Sequence, residues 1–287
     1  MQTSKPFPIP VVPAFGPGSQ PEDETLDFLP MPRAMHTFDA PRLPEPQDFT
    51  THPGAIGALR VALDALQRSL AGAGAAPIDL HQLSTDDRAL INQVLGEGEV
   101  AAQVAGPLAL RAQESVYAGL WRVLVLDGES PVRDTLEIGP FPRGIAQAAS
   151  ERAQAMPPLP APLPAGTMNA PAVLEELRER AAAWQPGTPA HVVNLSLLPV
   201  TPGDSELFEA VLGRGPVAIL SRGYGNCRIV STGVRDIWRV TYFNSQDMII
   251  LDTLEVGGVP EVACAAREDL EDSAERLTEV LQWVSAS

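Results

Sequence analysis

The chain has 287 residues, of which 45% are apolar and 20% charged, a composition typical of globular proteins with substantial cores. Its formal net charge of −16, with no run of Lys or Arg, argues against nucleic-acid partners and against binding to an anionic membrane surface. No apolar run is long enough to cross a bilayer and the N-terminus has no secretory apolar core, so we expect a cytoplasmic acidic protein without membrane insertion.

Residues 1–52 are rich in proline and precede any periodic pattern, so we predict a Pro-rich, extended N-terminal arm. Large apolar side chains are interspersed among the prolines, and a purely flexible tail would not need them. Two interpretations stay open: the arm packs on the protein's own domains, or it docks on a partner. The candidate partner-binding residues of the arm are Leu29, Met31, Met35 and Phe38.

Residues 53–155 predict a first α+β unit. An amphipathic helix with an apolar stripe from Ile56 to Leu70 is followed by a short strand at Ile78–Leu80. Ser84 with an acid three residues later predicts a second helix, which Gly96 ends. Alternating segments joined by short turns then predict an antiparallel meander, and Pro142 predicts the start of a closing helix. The four predicted strands are Glu99–Ala105, Leu108–Ser115, Leu120–Leu126 and Val132–Ile138.

Residues 156–168 form a second Pro-rich stretch, predicted to be a polyproline II linker that spaces two domains or runs along a surface without joining a core. Residues 169–287 then repeat the order of elements. A helix stripe runs from Leu174 to Trp184, and a second helix is opened by Pro202–Ser205 and ended by Gly213. A last helix with an acidic outer face is predicted after Pro260. The predicted strands are Val192–Leu198, Pro216–Ser221, Cys227–Thr232, Ile237–Phe243 and Met248–Val256.

The two units share sequence strings at a nearly constant spacing. Val94–Gly98 recurs 117 residues later as Val211–Gly215, and Trp121-Arg122-Val123 recurs at the same spacing as Trp238-Arg239-Val240. Insertions fall only where turns are expected, as in a duplicated fold. We therefore predict an α+β protein of two tandem repeats, each an antiparallel β-meander sheet flanked by helices.

The residue types that carry catalysis show no functional spacing. The four histidines are isolated, the two cysteines are far apart, and no glycine-rich phosphate loop is present. We therefore expect no catalytic, cofactor-binding or metal-binding residues, and a protein that is not an enzyme.

Cys227 leaves two interpretations open. It follows the turn Gly223–Asn226 and lies between two arginines in sequence, and nearby cations lower a thiol pKa, so it could be an exposed thiol that meets a partner. Alternatively it packs as a small apolar residue at a strand end, which Leu110 at the equivalent position of the first repeat favours. The candidate partner-binding residues around it are Arg222, Tyr224, Asn226, Cys227 and Arg228.

A Trp, an Arg and a Glu recur in both repeats. They are Trp121 and Trp238, Arg122 and Arg239, and Glu137 and Glu255. We predict that the Arg and Glu are diagonal neighbours on adjacent strands, which makes a cross-strand ion pair beside the Trp. The alternative is a duplicated binding surface, and it makes Trp238, Arg239 and Glu255 candidate partner-binding residues.

Three stretches resemble the HupH/HyaF/HoxQ family of hydrogenase expression and formation proteins. They are Leu29–Phe38, Gln113–Val123 and, most strongly, Ser221–Asp272 with its Ser-Arg-Gly-Tyr-Gly-Asn-Cys-Arg-Ile string. The resemblance implies maturation of the iron–sulfur small subunit of a membrane-bound [NiFe] hydrogenase before twin-arginine export. It also implies two partners, the hydrogenase small-subunit precursor and a thioredoxin-like hydrogenase accessory protein.

Three functions are compatible with these observations. The first is a non-catalytic maturation chaperone whose acidity complements a basic region of its client, such as the twin-arginine leader. The second is a redox or iron–sulfur cluster-handling accessory protein that uses Cys227. The third is a scaffold that joins other maturation factors.

Overall fold

The computed structural model of the chain describes Phe49, residues 51–223 and residues 225–285. Tyr224 and the arm candidates Leu29, Met31, Met35 and Phe38 lie outside the described residues.

The described residues form six α-helices and ten β-strands. The helices are α1 Pro53–Leu70, α2 Thr85–Leu95, α3 Arg143–Glu151, α4 Ala170–Ala183, α5 Pro202–Leu212 and α6 Arg267–Ser285. The strands are β1 Ile78–Asp79, β2 Val100–Val104, β3 Leu108–Glu114, β4 Leu120–Asp127, β5 Ser130–Ile138, β6 His191–Asn194, β7 Val217–Ser221, β8 Asn226–Ser231, β9 Ile237–Phe243 and β10 Ile249–Val256. Within these residues, no helix is both long and apolar enough to cross a membrane.

The prediction of an antiparallel α+β fold is confirmed, but the prediction of two separate sheets is wrong. All ten strands belong to one antiparallel sheet, in the order β1-β5-β4-β3-β2-β7-β8-β9-β10-β6. β2 pairs with β7 over its whole length, from Val100 opposite Ser221 to Val104 opposite Val217. Each meander would otherwise leave one long apolar edge unpaired, and joining the two edges satisfies both rows of backbone groups.

The strand order reads the same from either end. From its outer edge to the centre of the sheet, the first half runs β1, β5, β4, β3 and β2. The second half runs in the equivalent order from its own outer edge, β6, β10, β9, β8 and β7. The approximate two-fold axis of this arrangement passes through the middle of the β2–β7 pair.

Three apolar clusters cover the sheet. One face is covered at its centre, where Ile145 and Ala149 of α3 and Ala263 pack on the central strands. In the described part of the chain, the opposite face is covered only at its two ends. There, α1, α2 and α6 pack on the first-half strands and α4 and α5 pack on the second-half strands. Phe49 is fully buried in the first of these end clusters.

The two halves exchange their last segments. Leu277 and Leu281 of the C-terminal helix α6 pack in the first-half cluster. Met156 and Leu159 of the Pro-rich linker pack in the second-half cluster, and the Arg178 side chain donates to the carbonyl oxygen of Met156 over 3.0 Å. The prediction that the linker stays out of any core is therefore wrong, because its apolar side chains complete the neighbouring half.

Helix ends follow the predicted signals with small shifts. Gly96 and Gly213 end α2 and α5 with φ of 55° and 58°, which confirms the predicted helix ends. Ser84 accepts the Asp87 N–H and caps α2 as predicted, whereas α5 is capped by Thr201 rather than from within Pro202–Ser205.

Two predicted elements are shorter than expected. β6 ends at Asn194 because the Asn194 side chain accepts the Ser196 N–H over 2.9 Å and turns the backbone into a short 3₁₀ turn, Leu195–Leu197. After Pro260 a 3₁₀ turn at Glu261–Ala263 precedes the last helix, which begins only at Arg267.

Asp204 joins the starts of both second-half helices. Its Oδ1 accepts the N–H groups of Met168, Asn169 and Ala170 at 2.8–2.9 Å, and its Oδ2 accepts the Thr201 N–H at 3.0 Å. Burial by itself raises the pKa of this carboxyl, but the hydrogen bonds from the backbone outweigh burial and lower the pKa to about 2. Asp87 occupies the equivalent position in the first half and accepts one such bond, from the Ala55 N–H.

We expect Asp204→Asn to lower the free energy of unfolding by about 3 kcal/mol, because the new amide N–H₂ would oppose the Thr201 N–H and the charge would be lost. Urea unfolding at pH 7 measures this change, and Asp87→Asn, with one inter-helix bond to lose, is the control with a smaller loss. Because the pKa of Asp204 is lower in the native than in the unfolded protein, the difference in stability between the wild type and Asp204→Asn should shrink as pH falls from about 4 towards 2. Equal losses in the two variants would contradict this role.

Candidate functional site

Among the described residues, no helix covers the centre of the second sheet face. Its side chains, on β3, β2, β7 and β8 and the adjoining parts of β4 and β9, belong to none of the three apolar clusters. The helices at either end leave a groove four strands wide, or about 14 Å between the outer strands. Ala101 and Ala218 give this groove a shallow floor.

Four arginines lie on this face. Strand register places Arg111 opposite Gln103 and Leu124, and Arg228 opposite Leu220 and Thr241. The same face carries the two arginines of the repeated Trp-Arg-Val string. We call this surface the arginine face and define it by Arg111, Arg122, Arg228 and Arg239.

Arg122 and Arg239 are each held by an aspartate on the next strand. Arg122 donates from Nε and Nη2 to the two Asp134 oxygens at 3.0 and 2.7 Å, and its Nη1 also contacts Asn92. Arg239 donates in the same way to Asp252 at 3.0 and 2.8 Å. These forked, charge-assisted bonds fix the direction of both guanidinium groups.

The predicted Arg–Glu pairs are therefore wrong. The register places Glu137 opposite Trp121 and Glu255 opposite Trp238. Because successive residues of a strand point to opposite faces, each Glu lies on the face of the Trp and away from the Arg. The aspartate three residues before each Glu is the partner instead.

Arg228 stacks over the Phe243 ring, with its guanidinium carbon 5.6 Å from the ring centroid. Asn226 begins β8 and lies opposite Phe243 on the same face. Arg222 is exposed in the preceding turn, and its backbone N–H donates to the Glu99 carbonyl oxygen over 3.1 Å. The structure thus brings Asn226, Arg228 and Arg239 together on the arginine face.

Cys227, Trp238 and Glu255 lie on the other face, under α3. Cys227 is 2% exposed, and burial raises its pKa to about 12 although the Tyr242 side chain hydrogen-bonds to the thiol. Arg228 does not lower this pKa, because alternation along the strand points it to the opposite face, so the structure contradicts the interpretation of Cys227 as an exposed thiol. Burial also raises the pKa of the Glu255 carboxyl, which accepts the Thr253 hydroxyl over 3.2 Å. This environment opposes a reactive thiolate.

Arg111, Asp134 and Asp252 are site residues that were not among the candidates predicted from sequence. Arg111 and Arg228 are related by the same 117-residue spacing as the Trp-Arg-Val strings, and Asp134 and Asp252 by the spacing of the following strand. That repetition was the available signal. No cluster of basic residues is visible along the chain, because the four arginines come from four different strands.

Among the described residues, no group of three or more His, Cys, Asp or Glu side chains is placed to hold a metal ion. The arginine face can instead orient carboxylates or backbone carbonyls of a bound protein segment through its guanidinium groups.

Comparison with known proteins decides the family. The conserved C-terminal region of the HupH hydrogenase expression proteins matches this chain twice, at residues 56–161 and 167–284. The chain belongs to the HupH family of hydrogenase expression proteins. It is 49% identical to the hydrogenase expression/formation protein HoxQ of Cupriavidus necator, over 98% of this chain and 99% of that protein.

Two further relatives extend the family. HupH of Rhodobacter capsulatus, also a hydrogenase expression/formation protein, is 45% identical over 97% of this chain and 98% of its own length. The hydrogenase-1 operon protein HyaF of Escherichia coli is 34% identical over 94% of this chain and 95% of its own length. Members of this family are named as accessory proteins of hydrogenase formation rather than as enzymes.

A buried carboxyl on the sheet face that carries Trp121 and Trp238 makes the stability of the fold depend on pH. Glu114 is 6% exposed and accepts the Gly119 N–H over 3.2 Å. Burial raises its pKa to about 7, and the nearby Glu99 and Asp269 carboxylates act in the same direction.

We expect Glu114→Gln to stabilise the protein at pH 8 by about 3 kcal/mol, because the native state of the wild type holds a proton that the unfolded state releases between about pH 4.5 and 7. The amide retains the oxygen that accepts the Gly119 N–H. Urea unfolding of both proteins from pH 4 to 8 measures the effect, with exposed Glu97→Gln as the control. If the difference in unfolding free energy between Glu114→Gln and the wild type does not grow with pH, this role of Glu114 is disproved.

Proposed function

We propose that this protein is a non-catalytic maturation chaperone for the iron–sulfur small subunit of a membrane-bound [NiFe] hydrogenase, and that it acts on the precursor before twin-arginine export. The names of its relatives place them in hydrogenase expression and formation. The observation that carries the proposal is the arginine face, an open groove with fixed cationic groups on an otherwise acidic protein.

The arginine face suits an acidic segment of the client. Arg122 and Arg239 are neutralised and oriented by aspartates, whereas Arg111 is exposed and has no acidic partner among the described residues. Concentrating positive charge on one face of a chain with net charge −16 would steer one orientation of approach and disfavour others. The groove is wide enough for one helix of about 10–12 Å diameter.

We also propose that the chain arose by tandem duplication. The family region matches twice, the strand order reads the same from both ends, and the Asp87/Asp204 and Arg122/Arg239 interactions recur at one spacing. Because the two units form one continuous sheet, they offer a single surface around the approximate two-fold axis. Two flexibly linked binding modules would require a linker free of the cores, which the packing of Met156 opposes.

We expect the double variant Arg111→Glu/Arg228→Glu to reduce binding of the small-subunit precursor about tenfold or more, since charge reversal in the groove repels an acidic segment. The measurement is co-purification and titration of the precursor with the full chain. The control is Arg133→Glu/Arg180→Glu, which makes the same charge change at exposed positions off the arginine face.

The same experiment separates the other functions. Binding of the thioredoxin-like accessory protein without any contact to the precursor would support the scaffold. If the control variant recovers the precursor at low salt but loses it at high salt, this would support attraction between a basic leader and the acidic outer residues of α6. Unchanged precursor binding by the arginine-face variant would remove the support for this proposal.

The second candidate function uses Cys227 for redox or cluster chemistry, and its support is the resemblance of the string around this residue. The burial of the thiol counts against it. We expect Cys227→Ser to retain full maturation in cells that lack the wild-type protein, with Cys264→Ser as the control. Processing of the small subunit and hydrogenase activity measure this. Lost maturation by a Cys227→Ser protein that folds and still binds its client would favour the redox function.

A further inference from the structure

Four exposed apolar side chains lie together at the second-half end of the sheet. Leu197 is 80% exposed in its 3₁₀ turn, Met248 is 59% exposed just before β10, and Ile249 and Ile250 are 55% and 62% exposed at the start of β10. The Asp252 N–H donates to the Ser196 hydroxyl over 2.8 Å and so holds the 3₁₀ turn against β10. We call these four residues the apolar edge patch. Grouped apolar side chains of this kind mark interaction sites, unlike scattered ones.

The outer edge of β10 is open beside the patch. β6 pairs only with Thr253–Val256, so in the described part of the chain Ile249–Leu251 have a neighbouring strand on one side alone. The N–H and C=O groups of such an edge form a template for a further strand. The pairing with β9 shifts register between Ile249 and Leu251, so this template is short and irregular.

The turn that presents the patch is held in one conformation. The Asn244 side chain accepts the N–H groups of Gln246 and Met248 over 2.8 and 3.0 Å, and Asp247 adopts a φ of 58°. A binding segment therefore does not have to order this turn, which lowers the entropic cost of association.

The first half differs at three of the four equivalent positions, whereas the fourth, Val132 in place of Ile250, is also apolar and 51% exposed. Gln82 corresponds to Leu197, and Pro131 corresponds to Ile249. Proline cannot donate to an added strand, and the charge of Arg133, at the position of Leu251, protects the same edge. Since both halves have the same fold at this edge, folding does not require the apolar side chains of Leu197, Met248 and Ile249.

We propose that the apolar edge patch binds an extended apolar segment of a partner protein, which adds as a further strand beside Ile249–Leu251 and carries basic residues at its flanks. Asp247 lies beside the patch, and the net charge of −16 attracts a basic segment while repelling a second copy of this chain. The site is separate from the arginine face and does not depend on the function proposed for it.

The probe is a fluorescent peptide of alternating Val and Thr residues between pairs of Lys, titrated with the full chain by fluorescence anisotropy. We expect saturable binding to the wild type. A peptide that is N-methylated at alternate residues along one edge should bind about tenfold more weakly, because it cannot make the backbone bonds of an added strand. Equal binding of the two peptides would overturn strand addition.

The variants exchange residues between the halves. Leu197→Gln/Ile249→Pro places the first-half residues in the second half, and we expect a loss of peptide affinity of about tenfold or more. Ile250→Lys removes the patch without proline, in case the first variant folds poorly. Val132→Lys makes the corresponding change at the exposed first-half position and should bind the peptide as the wild type does.

Three results would overturn the proposal. The first is that the wild type shows no saturable binding of the peptide, and the second is that folded Ile250→Lys binds the peptide with unchanged affinity. The third is that the wild type sediments as a dimer which Ile250→Lys dissociates, because the patch would then bind a second copy of this chain. The Arg111→Glu/Arg228→Glu protein should retain peptide binding, so failure at the patch and failure at the arginine face are distinguishable.

Discussion

The pairing of β2 with β7 is the interaction on which the rest of the structure depends. It joins the two five-stranded halves, each a four-stranded meander with one added edge strand, into one sheet through an uninterrupted run of backbone pairs from Val100–Ser221 to Val104–Val217. Each strand would otherwise be an apolar edge, and edges of this kind are prone to unintended association. The pairing also fixes which face each side chain of the central strands occupies, because alternation propagates across every adjacent strand.

The distribution of helices over the two faces follows from this pairing. The centre of one face is closed by α3, which buries Trp121, Trp238 and Cys227 and half-buries Glu137 and Glu255. The centre of the other face lies between the helices that pack at its two ends, and it carries the arginine face. The exchange of α6 and the Pro-rich linker between halves then ties the ends together, so a surface that spans both halves keeps a fixed geometry.

The approximate symmetry separates the residues that the fold requires from those that it does not. The Asp87/Asp204 caps and the Arg–Asp pairs occur in both halves, and their contacts explain them as parts of the scaffold that also shape the arginine face. Three of the four residues of the apolar edge patch have no apolar counterpart in the first half, where Pro131 takes the place of Ile249. A difference at a structurally equivalent, exposed position is most simply explained by binding.

The sequence by itself determined the α+β class, the order of the strands along the chain and most helix ends, since these depend on local signals such as the Ser84 cap, the glycines at 96 and 213 and period-two alternation. The tertiary structure decided what depends on register and long-range pairing. A shift of one residue exchanges the faces of a strand, so local pattern could not tell that Arg122 meets Asp134 rather than Glu137, or that Cys227 points away from Arg228. Nor could it place four arginines from four strands on one surface, because only the β2–β7 pair brings the two halves into register.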